Sequence, residues 1–210
     1  MIKEFCAENF SRVPEAIQAG IDRIELCDRL DLGGTTPSPE VQLQTNQFAH
    51  KHDVTVVCMI RSRGGDFIYT PEEKAVMQKQ AAEAIKNGAD GLVFGALTPE
   101  NQVDWEFVES LITCAGNKET VFHMAFDQLP KSKQLDALDG LIARNVTRLL
   151  TRGAKSGSAL SNSDWINELV NRADGKIEIL AGGGLTFENL DEAAASIHTD
   201  QFHGTQIVSM

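Results

Sequence analysis

Two arginines stand two residues apart in Ile60–Phe67 (IRSRGGDF), followed by a Gly-Gly turn and Asp66. On an extended segment Arg61 and Arg63 can face the same way, and guanidinium forks match a carboxylate or a phosphate. Gly182-Gly183-Gly184, ahead of a helical stretch starting near Thr186, is a second anion-binding string, because three glycines let backbone N–H groups approach an oxyanion closely. His203-Gly204-Thr205 lies downstream of it. His123, with Asp127 four residues on in HMAFD, can relay protons, ligate a metal or hydrogen-bond within a core. Cys6 ends the run IKEFC, and Glu25 and Cys27 fall in DRIELC. Two thiols brought together could hold Cu(I), which accepts soft sulfur ligands, although paired buried cysteines also serve simply as packing.

These residues need a scaffold, and the chain supplies a repeat of element type. Eight short apolar or β-branched runs read as strands: Ile2–Cys6, Asp22–Cys27, Val54–Arg61, Gly91–Gly95, Thr120–Met124, Thr147–Thr151, Lys176–Ala181 and, weakest, Asp200–His203. Longer segments of helical period alternate with them, such as Pro71–Asn87 with Pro in the first turn and Gly88 beyond its end. Three helix exits read alike, at Ala16–Cys27, Ala84–Gly95 and Leu141–Thr151, each turning at Gly or Asn before a strand. Alternation of this kind predicts parallel strands with right-handed crossovers, and eight units predict a closed (β/α)8 TIM-type barrel in one domain over 1–210. Only seven residues follow the last strand, so the eighth helix is expected to be short or missing, and a second copy of the chain is expected to cover the gap.

In such a barrel chemistry sits at the carboxyl ends of the strands. Strand parity turns Glu4 and Cys6, Glu25 and Cys27, and His123 inward, with Phe122 and Met124 outward. Thr151 closes the sixth strand, beside the Gly182–Gly184 turn and His203-Gly204. Cys58 is expected to alternate outward and Cys114 to sit in a helix, both as fillers.

The composition narrows the partners. The 210 residues carry 19 basic and 30 acidic side chains, a net charge of −11, which disfavours nucleic acid and anionic bilayers. No apolar run approaches a membrane span and no leader pattern opens the chain, so a cytoplasmic location is expected, where thiols stay reduced. There is no CxxC or HxxxH metal motif, no phosphate-binding P-loop, no dinucleotide fingerprint and no nucleophile elbow.

Taken together, the strings GIDRIELC, GGTTPS, MIRSRGGDFIYT, GADGLVFGALT, FHMAFD, LLTRGA, LAGGGL and FHGT, which run in order along almost the whole chain, resemble the CutC copper-homeostasis family. The resemblance implies a TIM barrel, a cytoplasmic role in copper homeostasis with Cu(I) binding in some members, and self-association as a homodimer or larger homo-oligomer. It maps the family's metal pair onto Cys6 and Cys27. The chain departs from the family pattern where Met124 replaces an arginine and Arg152 a serine, and where Ser62 and Ala181 replace prolines.

Two functions are therefore expected to compete. One is a copper handler holding Cu(I) between Cys6 and Cys27, with the ion as its partner. The other is a metal-independent barrel enzyme acting on a small anionic substrate, phosphorylated compounds included, at the carboxyl-terminal rim. In that reading Glu25 or Asp127 acts as base, His123 as acid and Arg61 as oxyanion clamp, with Arg63, Asp66, Thr151, Gly182, Gly183, Gly184, His203 and Gly204 binding the ligand.

Overall fold

The eight apolar runs form eight parallel strands closed edge to edge in a computed structural model describing residues 1–210. They are β1 (Ile2–Glu8), β2 (Arg23–Cys27), β3 (Thr55–Met59), β4 (Gly91–Phe94), β5 (Glu119–Phe122), β6 (Arg148–Thr151), β7 (Glu178–Gly182) and β8 (Gln201–Gly204). Neighbours in sequence are neighbours in the barrel, and β8 closes onto β1. Seven helices lie between them: α1 (Val13–Gln18), α2 (Pro39–His50), α3 (Pro71–Lys86), α4 (Trp105–Ala115), α5 (Lys131–Ala143), α6 (Ser163–Ala173) and α7 (Leu190–Ser196). No helix is long and apolar enough to cross a membrane.

Local chemistry sets the element ends. Thr70 and Glu73 form a reciprocal capping box at the start of α3, with Pro71 in its first turn. The three expected exits turn through Gly20, Gly88 and Asn145, all at positive φ. Strands three and five stop two residues earlier than their apolar runs suggest, at Met59 and Phe122.

Strand alternation separates two apolar layers. Outward residues such as Ile24, Leu26, Cys58, Phe94, Phe122 and Phe202 join the helices in the main core. Inside the barrel a smaller cluster gathers Cys6, Cys27, Val57, Met59, Val93, Val121, Leu150 and Leu180. Cys58 therefore packs outward as expected, whereas Cys114 on α4 is only partly buried.

No helix follows β8. The end of the chain folds back instead, leaving Ile207 and Val208 buried, and the outward Phe5 and Phe202 are buried as well. The barrel core at this end is covered by the chain itself, so the missing helix does not require a second copy to shield it.

Candidate functional site

The inward face of β1, β2 and β8 is polar, while that of β3 to β7 is mainly apolar. Barrel closure places Glu4 opposite His203, and the β1–β2 register places Cys6 opposite Glu25. Near the base, Arg23 pairs with one oxygen of Glu4 and donates to Gln201 Oε1 at 2.8 Å. Arg148 donates to the same Gln201 oxygen at 2.9 Å and is neutralised by Glu119 and Glu178. One turn of the pleat higher, the other Glu4 oxygen lies 2.8 Å from His203 Nδ1. Glu25 Oε2 is the hub above it: Cys6 Sγ lies 3.2 Å away, and Cys27 Sγ and His203 Nε2 each 3.6 Å. The ligating atoms of Cys6, Glu25 and Cys27 all fall within 4.8 Å of one another.

Burial and charge set the protonation of this cluster. Burial pushes the Glu4 carboxyl up, but His203 and Arg23 outweigh it and hold the group at about 2. Burial opposes the His203 imidazolium, yet the acidic groups Glu25, Cys6 and Glu4 keep its pKa well above the usual histidine value. Glu25 is shifted the other way, its pKa raised far above the carboxylate range chiefly by desolvation. The hydrogen bond from Cys27 pulls the Cys6 thiol well below its ordinary range, against burial and with help from His203. The same bond, together with burial, pushes Cys27 up. The two sulfurs are thus shifted in opposite directions, Cys6 toward the thiolate and Cys27 toward the thiol.

Cys6, Glu25, Cys27 and His203 form the floor of a cavity of about 410 Å³ that opens at the carboxyl ends of the strands. His123, Gly183, Gly184, His203 and Gly204 line it, as do the thioethers of Met59 and Met124. His123 faces it, as strand parity predicts. Its Nδ1 accepts the Ala125 N–H at 3.1 Å, its ring lies 4.9 Å from that of Phe67, and burial next to Arg61 lowers its pKa to about 3. The ring is therefore neutral, and because Nδ1 accepts, Nε2 carries the hydrogen. That Nε2 is buried without a partner.

Met124 corrects the parity reading. The strand has ended two residues earlier, and the side chain turns to the mouth instead of the helices, packing on the inner cluster. Arg152 reaches it, with an Nη2 to Sδ distance of 3.4 Å. Two of the four departures from the family pattern are thus in contact, and the mouth's guanidinium comes from the β6 side.

The arginine pair separates. Arg61 is buried with its guanidinium donating to the carbonyls of Leu32 (3.0 Å), Gly33 (3.2 Å), Gly34 (3.2 Å) and Gly65 (2.7 Å). It braces two loops over Phe67 rather than presenting a free fork. Arg63 points away from the cavity, bound to Glu73 at 2.5 Å and Asp66 at 2.9 Å. Asp66 and Asp127, with Arg61, border an adjoining hollow of about 510 Å³ that shares Met124 and Arg152 with the first. Asp127 accepts from Thr151 Oγ1 and from the Arg152 N–H at 3.0 Å, and burial raises its pKa to about 6. Thr151 is fully buried in that bond and lines neither space, and Gly182 is packed against Leu150, His203 and Met124. The expected acid, base and clamp are thus not gathered about one point: Glu25 and His123 face the first cavity, Arg61 and Asp127 the second.

Sequence reasoning turned Glu4 inward but gave it no role, and it missed Arg23 and Gln201. The bonds that join Glu4 to His203 and Arg23 to Gln201 span 199 and 178 residues, and only closure of the barrel reveals them.

The model of the CutC family matches residues 1–208. The CutC family protein of Enterococcus faecalis is 46% identical over 209 residues, covering 99% of this chain and 100% of its own. The human copper homeostasis protein cutC homolog is 38% identical over 202 residues, 96% of this chain and 72% of that one. A solved CutC structure from Streptococcus agalactiae superposes with a TM-score of 0.96 at 41% identity, covering 99% of this chain and 100% of that one.

Proposed function

The chain belongs to the CutC family, and on that premise we propose that it handles copper by binding Cu(I) as cargo between Cys6 and Cys27 in the reducing cytoplasm. The observation that carries this reading is the convergence of two buried thiols at the floor of an open cavity, their sulfurs within 4.8 Å of each other. The thioethers of Met59 and Met124 in the same wall make the lining soft, and soft sulfur donors select Cu(I) over harder ions.

Charge bookkeeping supports the same ion. The Arg23 guanidinium and the Glu4 carboxylate cancel, leaving the His203 imidazolium, whose charged form Glu25 and Cys6 favour. Before loading, one negative charge shared between Cys6 and Glu25 balances that imidazolium. After loading, two thiolates and one Cu(I) together carry a single negative charge, which the imidazolium again balances. The cluster therefore stays neutral in both states, a condition that burial makes important. Loading needs Cys27 to lose its proton, so about one proton leaves per ion bound instead of two.

Anaerobic titration with Cu(I) against a competing chelator tests the reading. Reduced protein is expected to take up about one ion per chain with release of about one proton. Cys6→Ser and Cys27→Ser are each expected to weaken binding at least about a hundredfold, as loss of one of two thiolates implies. Unchanged stoichiometry and affinity in the Cys6/Cys27 double serine variant would overturn it.

A further inference from the structure

Copper binding leaves the opposite wall of the cavity without a task. There Gly183 and Gly184 take positive φ (96° and 73°), and the N–H groups of Gly183, Gly184 and Leu185 donate to no acceptor in the protein. Leu185 is only 3% exposed, and a buried backbone N–H is seldom left unpaired. Arg152 stands beside this turn: a Cβ on Gly183 would come within 3.2 Å of its Nε. Its guanidinium has no carboxylate partner, and its one side-chain contact is the Met124 sulfur. Successive N–H groups in a positive-φ turn next to a free guanidinium form a concave donor set for an oxyanion.

Deeper in the same cavity two more polar groups are unpartnered and buried. His123 Nε2 carries a hydrogen with no acceptor, and Glu25 Oε1 has no partner. These groups would meet hydroxyl or carbonyl oxygens, not an apolar ligand. A volume of about 410 Å³ suits a small molecule.

We propose that this cavity binds a small phosphorylated hydroxy or oxo compound. Its phosphate sits on the Gly183–Leu185 N–H groups and Arg152, and its oxygen-bearing part reaches His123 and Glu25. The assignment goes beyond copper handling and does not rest on it, since no donor in the cradle is a sulfur.

Metal-free protein tests it, so that the outcome is independent of copper. In amide proton–nitrogen spectra, added inorganic phosphate is expected to shift Gly183, Gly184 and Leu185 saturably, while acetate and chloride at matched ionic strength do not. Arg152→Met, with unchanged thermal unfolding, is expected to weaken phosphate about tenfold, the usual worth of one charged hydrogen-bond donor. Glycerol 3-phosphate is expected to bind about fivefold more tightly than inorganic phosphate, and His123→Leu to abolish that margin. Shifts that do not saturate, shifts matched by acetate, or full affinity in Arg152→Met would each overturn the cradle. A margin for glycerol 3-phosphate that is absent in the wild type, or that survives in His123→Leu, would overturn the assignment of the oxygen-bearing part.

Discussion

His123 and His203, 80 residues apart in sequence, line one cavity, and there the same side chain meets opposite surroundings. His203 sits among carboxylates and a thiol, so its charged form is favoured, and the stability it contributes persists below the ordinary histidine value and is lost as pH rises through its raised pKa. His123 sits between Phe67 and Phe122 near Arg61, so its neutral form is favoured. Its pKa falls from 6.5 to about 3, and the unfolded chain therefore takes up the proton first as pH drops. The stability supplied by the neutral ring is complete above about pH 6.5 and declines as pH falls toward 3, by on the order of 4 kcal/mol at the limit. Urea unfolding between pH 7 and pH 4 is expected to show this slope in the wild type and a shallower one in His123→Gln. Equal slopes in the two proteins would show that the ring is protonated in the fold.

The elements show which features a sequence can disclose. All eight strands and the closed barrel were legible because each strand is a short apolar run flanked by Gly, Asn or Pro, and because eight such runs alternate with helical periods. The inward turn of Cys6, Glu25, Cys27 and His123 followed from period-two alternation within or just beyond those runs. Met124 was misread because alternation holds only while the strand lasts, and β5 ends at Phe122. Arg61 was misread for a different reason: loop carbonyls of Leu32, Gly33 and Gly34 take up its guanidinium, and carbonyl positions leave no mark on residue type. The short tail after β8 was legible as a missing helix, but not as a lid. Ile207 is fully buried there, so Ile207→Ala is expected to cost about 2–4 kcal/mol, read as a lower midpoint in denaturant unfolding. A change below about 0.5 kcal/mol would mean that the tail does not seal this end.

Across the whole molecule, the barrel interior divides into a polar sector on β1, β2 and β8, joined at its base by Arg148 of β6, and an otherwise mainly apolar sector on β3 to β7. Arg148, Gln201, Arg23, Glu4, His203 and Glu25 form a hydrogen-bonded and ionic column from the base to the two thiols, all buried. The rest of the chain is acidic, with a net charge of −11, and such a field raises the local concentration of cations. An acidic exterior, a soft floor and a column that holds one positive charge beneath it make a consistent receptor for a monovalent soft cation bound by two thiolates. X-ray absorption at the copper edge, on protein loaded anaerobically with one equivalent of Cu(I), reads the ligands of the ion directly. Two thiolate sulfurs are predicted in the wild type and one fewer sulfur in either Cys6→Ser or Cys27→Ser; a shell of nitrogen and oxygen alone, or the same sulfur shell in the double variant, would contradict the account.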